Sequence, residues 1–259
     1  MTIKFIILGS GSSVGVPRID GFFGNCDPKN KKNIRTRCSA LIKSDKENIL
    51  IDTSPDLRFQ LLKNKISRID RVLYSHLHAD QTHGINDLRV FYLQNKKVIP
   101  IYADSITSNY LKKTFSYCFK NNPRIPKSLN YPATLKMNKL KKKHIFSNIM
   151  INSIPLNHGN IESMSFIINK ICAYASDAKM IYRKDIKLFM NLKFFVIDCL
   201  RYKEHPSHYN LDEVLELVKI IKPKKTILTN LHTDLDFVKL QKKLPKNIVP
   251  GYDGMTLNL

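Results

Sequence analysis

The stretch Arg71-Val72-Leu73-Tyr74-Ser75-His76-Leu77-His78-Ala79-Asp80 is the place to begin. Residues 71–74 form a short apolar run that reads as a strand. Side chains alternate along a strand, so His76 and His78 at its end point the same way and can bind one metal ion. Asp80, two residues further on and past the turn, can reach a second ion. Working outward, single donors follow other apolar runs: His158 after 151–156, Asp177 after 173–175, and His232 after 226–228. A ligand set gathered from the ends of successive strands is how an open α/β scaffold builds a metal centre at one rim. A lone histidine is usually a satisfied core residue, but that reading fits poorly for His-x-His-x-Asp with three further donors at strand ends.

The rest of the chain supplies the scaffold. Residues 3–8 read as a strand that enters the tight loop Gly9-Ser10-Gly11-Ser12-Ser13. A polar, Gly- and Pro-bearing stretch at 14–37 is long for a connection, and such loops tend to be functional. Strands are expected at 38–42, 48–51, 98–102, 149–155, 164–168, 171–175, 194–198 and 226–229. Helices are expected at 56–64, 84–93 (helix or turn), 105–119, 212–221 and 237–244, with a Pro- and Lys-rich connection after 119. The alternation implies α/β layers in one domain spanning residues 1–259.

With 259 residues, 43% hydrophobic and 25% charged, the chain can bury a real core. No apolar run approaches the ~20 residues of a membrane helix, and the amino terminus does not read as a signal peptide. Five scattered cysteines without a Cys-x-x-Cys pair fit reduced thiols and a cytoplasmic location. Lys and Arg total 43 against 21 Asp and Glu, a formal charge of +22. Such a surface attracts phosphate-bearing ligands and nucleic acid. The Lys-, Asn- and Ile-rich composition of AT-rich coding accounts for the same charge, so it supports an anionic substrate without identifying one. Arg18, Arg35 and Arg37 are candidates to receive a phosphate group, and the amides of residues 9–13 to cradle one.

The chain also resembles a known family, the metallo-β-lactamase fold hydrolases, through its His-x-His-x-Asp motif followed by single His, Asp and His residues. It is most similar to their PhnP-type phosphodiesterase branch. That similarity rests on Leu8-Gly9-Ser10-Gly11-Ser12-Ser13-Val14-Gly15-Val16-Pro17-Arg18, Asn25-Cys26-Asp27-Pro28 and Arg35-Thr36-Arg37-Cys38-Ser39. It continues through Asp52-Thr53-Ser54-Pro55-Asp56-Leu57-Arg58, His83-Gly84-Ile85-Asn86-Asp87-Leu88-Arg89, His205-Pro206-Ser207-His208 and Tyr252-Asp253-Gly254-Met255.

The resemblance implies an αββα sandwich, two mixed β-sheets flanked by helices, with two divalent ions, Zn²⁺ or Mn²⁺. It makes His76, His78 and His158 ligands of one ion, Asp177 a bridge, and Asp80 and His232 ligands of the second. His208 takes the general-acid role, with His205 its competitor, and Asp52 orients the ligands from behind. The implied reaction opens a small cyclic ribose phosphate or nucleotide-like phosphodiester. Alternatives are a nuclease similar to transfer-RNA 3′ processing enzymes, or a metal-binding protein with an impaired second site. The family pattern continues with a histidine after Asp80, where this chain has Gln81, so the second ion should bind less tightly or be harder. Cys26 stands alone, so no structural zinc is expected. Related folds are often homodimers, although no residue here specifies one.

Overall fold

The computed structural model describes residues 2–120 and 132–259. Its continuous apolar runs are strands buried on both faces, and alternate side chains enter different cores. In β1 (Lys4–Gly9), Phe5 and Ile7 join one cluster while Ile6 and Leu8 join another. The same division separates Ala40 and Ile42 from Leu41 in β2 (Ser39–Lys43). It separates Ile49 and Ile51 from Leu50 in β3 (Asn48–Ile51). The strands β4 (Arg71–Leu73), β5 (Ile99–Ala103) and β6 (Leu135–Lys139) come next, then β7 (Lys143–Phe146), β8 (Ile149–His158) and β9 (Ile161–Ile168). They are followed by β10 (Cys172–Ala175), β11 (Phe194–Asp198), β12 (Lys225–Thr229), β13 (Ile248–Pro250) and β14 (Thr256–Asn258).

These strands form two sheets, ordered β14-β1-β2-β3-β4-β5-β6 and β13-β12-β11-β10-β9-β8-β7. Both are mixed: β3 to β6 run parallel in the first, β10 to β13 in the second, and the remaining pairs are antiparallel. One cluster, with Phe5, Ile49, Phe166, Tyr174 and Val196, lies between the sheets. Leu57 and Leu61 of α1 (Leu57–Lys63) pack on the outer face of the first sheet. A single helical turn, α2 (Ala79–Thr82), precedes α3 (Arg89–Asn95) and α4 (Ser105–Thr114), which add Phe91 and Leu111 to that outer face. The other sheet is covered by α5 (Leu211–Ile221) and α6 (Phe237–Lys243), through Val214, Leu217, Ile221 and Leu240. The layers are therefore αββα, as expected.

Local chemistry sets the element ends. Asn210 begins α5 with a reciprocal cap: its side chain accepts from the Glu213 amide, and Glu213 accepts from the Asn210 amide, both at 2.9 Å. The hairpin β8–β9 is longer than expected and carries His158 as the last residue of β8, because cross-strand pairing to Ile161 overrides the weak strand preference of Pro155 and Asn157. The expected helix at 105–119 ends at Thr114 and continues as a 3₁₀ turn over Ser116–Cys118. The Pro- and Lys-rich connection falls mainly on 121–131, outside the described residues. No helix among the described residues is long and apolar enough to cross a membrane.

The polar stretch 14–37 is tied down from below. The buried Arg35 guanidinium donates to the Leu235 carbonyl at 2.7 Å and to Asn33 Oδ1 at 3.1 Å. Asp253 accepts from both the amide and the hydroxyl of Ser10 and of Thr36. A side chain at Gly9 would place its Cβ 2.0 Å from the Arg37 carbonyl, so this glycine permits close strand-to-loop packing.

Phe166, fully buried between the sheets, gives a direct test of the packing. Phe166→Ala should cost ~3–5 kcal/mol in urea denaturation, whereas Ile145→Ala on the exposed face of β7 should change stability by less than ~0.5 kcal/mol.

Candidate metal centre

Parallel strands deliver their carboxyl ends to one rim, and the loops leaving β4, β10, β11 and β12 meet there together with the end of β8. After β3, Asp52 turns through a left-handed conformation, φ 62°. Its carboxyl accepts the Ser75 amide at 2.7 Å and the Ser75 hydroxyl at 2.8 Å. Burial raises the Asp52 carboxyl, and the two hydrogen bonds from Ser75 oppose that shift. Ser75 Oγ in turn lies 3.0 Å from His76 Nδ1. Ser75 Oγ gives its hydrogen to Asp52, so it accepts from His76 Nδ1–H and the lone pair of His76 sits on Nε2.

His158 is oriented in the same manner. Its Nδ1 lies 2.7 Å from the Ser207 carbonyl, which can only accept, so its lone pair also sits on Nε2. His78, just before α2, places Nδ1 2.9 Å from His76 Nε2. The three rings meet edge-on with centroids 4.6, 5.0 and 5.3 Å apart. Burial lowers all three imidazoles, His76 to about 3, so they are neutral near pH 7. One ligand atom from each of His76, His78 and His158 lies within 4.8 Å of the others, and these residues could hold a metal ion. His158, Asp177 and His208 form a second such group. Neutral imidazole donors beside a buried carboxylate suit a divalent cation. Burial would raise Asp177, but the surrounding imidazoles hold its carboxyl below the ordinary range.

His208 is paired with a residue that sequence reasoning passed over as a strand-terminal acid. Asp198, wholly buried at the end of β11, has Oδ2 2.6 Å from His208 Nδ1. The same carboxyl accepts from the Ala178 amide at 2.9 Å and the Asn230 side chain at 3.1 Å. Burial pushes Asp198 up to about 7 against the pull of His208. Burial alone would lower His208, but the charge and hydrogen bond of Asp198 raise it to about 9. The His208 ring stands 4.6 Å from that of His158 and 4.9 Å from that of His205. His205 Nδ1 accepts from the Ser207 hydroxyl at 3.1 Å, which engages that nitrogen within its own loop.

The remaining expected residues are placed differently. Asp80 is within hydrogen-bond distance of Gln81 Nε2, 3.0 Å away, and burial raises its carboxyl to about 6. His232 is in neither close group of donors: its Nδ1 lies 3.3 Å from Thr233 Oγ1 and 3.3 Å from Asp234 Oδ1. The candidate phosphate receivers have protein partners. Arg18 pairs with Asp20, Arg37 with Asp56 at 2.7 Å, and Arg35 is buried under its loop. The amides of Ser10, Gly11 and Ser12 donate to Asp253, Thr36 and Leu231. Close chain packing thus explains the Gly-Ser-Gly turn. Gln81, Asp198, Ser207 and Asn230 complete the site; Gln81 stands where the family pattern has a histidine, and the spacing of the other three does not mark their roles.

A family model described as a beta-lactamase superfamily domain matches residues 47–230, well over half of the chain. The protein belongs to this family. It is 31% identical over 261 residues to an octanoyltransferase of Porphyromonas gingivalis (strain ATCC BAA-308 / W83), covering 98% of this chain and 51% of that protein. The chain therefore spans about half the length of that relative. It is 24% identical over 206 residues to the anti-Pycsar protein Apyc1 of Paenibacillus harenae, covering 76% of this chain and 84% of that protein. Among solved structures, a diphosphatase from the PhnP family superposes with a TM-score of 0.88 at 29% identity, covering 100% of this chain and 98% of that one. The αββα layers of this superfamily member are the metallo-β-lactamase fold, and its resemblance to PhnP proteins extends over the whole chain.

The Asp198–His208 pair makes a prediction for the metal-free protein. In an NMR titration His208 should keep its proton until about pH 9. Asp198→Asn removes the negative charge that favours the imidazolium, so His208 should then lose its proton at least one pH unit lower. An unchanged His208 titration would mean that Asp198 does not set its charge.

Proposed function

We propose that this superfamily member is a metal-dependent phosphodiesterase acting on a small anionic substrate such as a cyclic ribose phosphate. The observation that carries the reading is the convergence of His76, His78 and His158 beside His208, which is hydrogen-bonded to the buried Asp198. In this reading those three histidines hold a divalent ion, Zn²⁺ or Mn²⁺, with Asp177 next to it. The ion, when bound, supplies Lewis acidity to a phosphoryl oxygen and to water.

The chain's own groups supply the remainder. Asp52 through Ser75, and the Ser207 carbonyl, engage Nδ1 of His76 and His158 and so leave their Nε2 lone pairs available to an ion that these rings would hold. His208 donates its Nε2 proton to the departing alkoxide, and Asp198 stabilises the imidazolium before that transfer. A cavity of about 520 Å³ is lined by Leu77, Thr107, Gly159 and Tyr182, the first and third being chain neighbours of His78 and His158, and in this reading it takes the organic part of the ester. Its wall includes Glu162, whose carboxylate accepts from the Tyr182 hydroxyl at 2.9 Å. A carboxylate there suits hydroxyl groups better than a second phosphate. The charge of +22 draws anions toward the molecule as a whole.

Hydrolysis at phosphorus agrees with the PhnP-family diphosphatase among the similar structures. Octanoyl transfer stays with the Porphyromonas gingivalis protein, of which this chain matches about half.

The test compares two esters in the Mn²⁺- or Zn²⁺-loaded protein. His158→Ala should abolish hydrolysis of both bis(p-nitrophenyl) phosphate and a ribose 1,2-cyclic phosphate. His208→Gln should slow the cyclic ester by ~10²–10⁴-fold, because its alkoxide needs a proton. The p-nitrophenolate leaving group is weakly basic and should be affected far less. Equal losses on the two esters would contradict the general-acid role, and full activity in His158→Ala would contradict the metal reading.

A further inference from the structure

We propose that the Gln81 carboxamide takes the place of a second cation, bridging Asp80 and Asp177, so that the protein holds one divalent ion per chain. The inference rests on the metal reading above and concerns how many ions that site accepts.

Gln81 is fully buried, and its Nε2 lies 3.0 Å from Asp80 Oδ2 and 3.1 Å from Asp177 Oδ2. An amide –NH₂ has two hydrogens, one for each carboxylate, and each forms a charge-assisted hydrogen bond. Both carboxylates that a second ion would need are therefore already engaged by one amide nitrogen. The other Asp177 oxygen accepts from Asn230 Nδ2 at 3.3 Å, so neutral amide donors meet this carboxylate from two directions.

The backbone keeps Gln81 in place. Its carbonyl accepts from the Thr53 amide at 2.7 Å, and its amide donates to the His78 carbonyl at 3.1 Å. Turning the carboxamide over would set Oε1 against two carboxylate oxygens, which repel it. His232 does not compensate, because among the described residues it joins neither close group of donors and brings no third ligand atom to Asp80 and Asp177. By contrast, the imidazoles of His76, His78 and His158 already turn nitrogen atoms toward one another. One site offers lone pairs to a cation; at the other, an amide donor already engages both carboxylates.

The measurement is metal content per chain, by elemental analysis, after stripping with chelator, loading with excess Zn²⁺ and dialysis. It is repeated with Mn²⁺. The wild-type protein should hold one ion. Gln81→His replaces the donor with an imidazole lone pair and should raise the ratio to two. Cobalt gives a second readout on the unaltered protein: the Co²⁺ form should show the electron paramagnetic resonance of isolated ions, without exchange coupling. Two ions in the wild type, or a coupled cobalt pair, overturn the proposal and leave the hydrolase reading standing. No bound ion overturns both. A folded Gln81→His protein that still holds one ion shows that Gln81 is not what excludes the second.

Discussion

Imidazole rings that crowd together in a buried site are not by themselves a binding site. Each must be neutral, and each must turn a lone pair, not an N–H, toward the common centre. At His76 and His158 the second condition is met by hydrogen bonds that reach the rings from behind. Asp52 acts on His76 through Ser75, and the Ser207 carbonyl acts on His158. Burial supplies the neutrality. Much of the fold serves these contacts: β3 and β4 run parallel so that Asp52 and Ser75 meet at their carboxyl ends, and β8 continues to His158 itself.

Opposite treatment of a fourth histidine gives the site two kinds of imidazole. His208 lies as close to His158 as His76 lies to His78, with centroids 4.6 Å apart in each case. Yet it faces the buried Asp198 and is held in the charged form. The difference between an imidazole that offers a lone pair and one that offers a proton is made by one carboxylate, delivered by β11 from a sheet that carries neither His76 nor His78.

Much of this was legible in the sequence. The apolar runs at 3–8, 48–51 and 194–198 announced strands, and their alternate burial in two cores follows from their being apolar throughout. The donors His76, His78, His158 and Asp177 were legible because each lies at the end of such a run. Four strands, β6, β7, β13 and β14, were not, because they are short or Lys-rich and exist by pairing with neighbours. The role of Asp198 was hidden too, since it depends on a loop ten residues later folding back over it. Arginines 18, 35 and 37 looked like phosphate receivers in one dimension. In three dimensions Arg18 and Arg37 meet carboxylates and Arg35 meets backbone carbonyls, contacts that no spacing rule contains.

The central claim is that His76, His78 and His158 together hold a divalent ion. X-ray absorption at the zinc edge of the Zn²⁺-loaded protein tests it most directly. The account predicts three imidazole nitrogens in the coordination sphere at ~2.0–2.1 Å, falling to two in His158→Ala. Sulfur ligands, or a sphere unchanged in that variant, would place the ion elsewhere and contradict it.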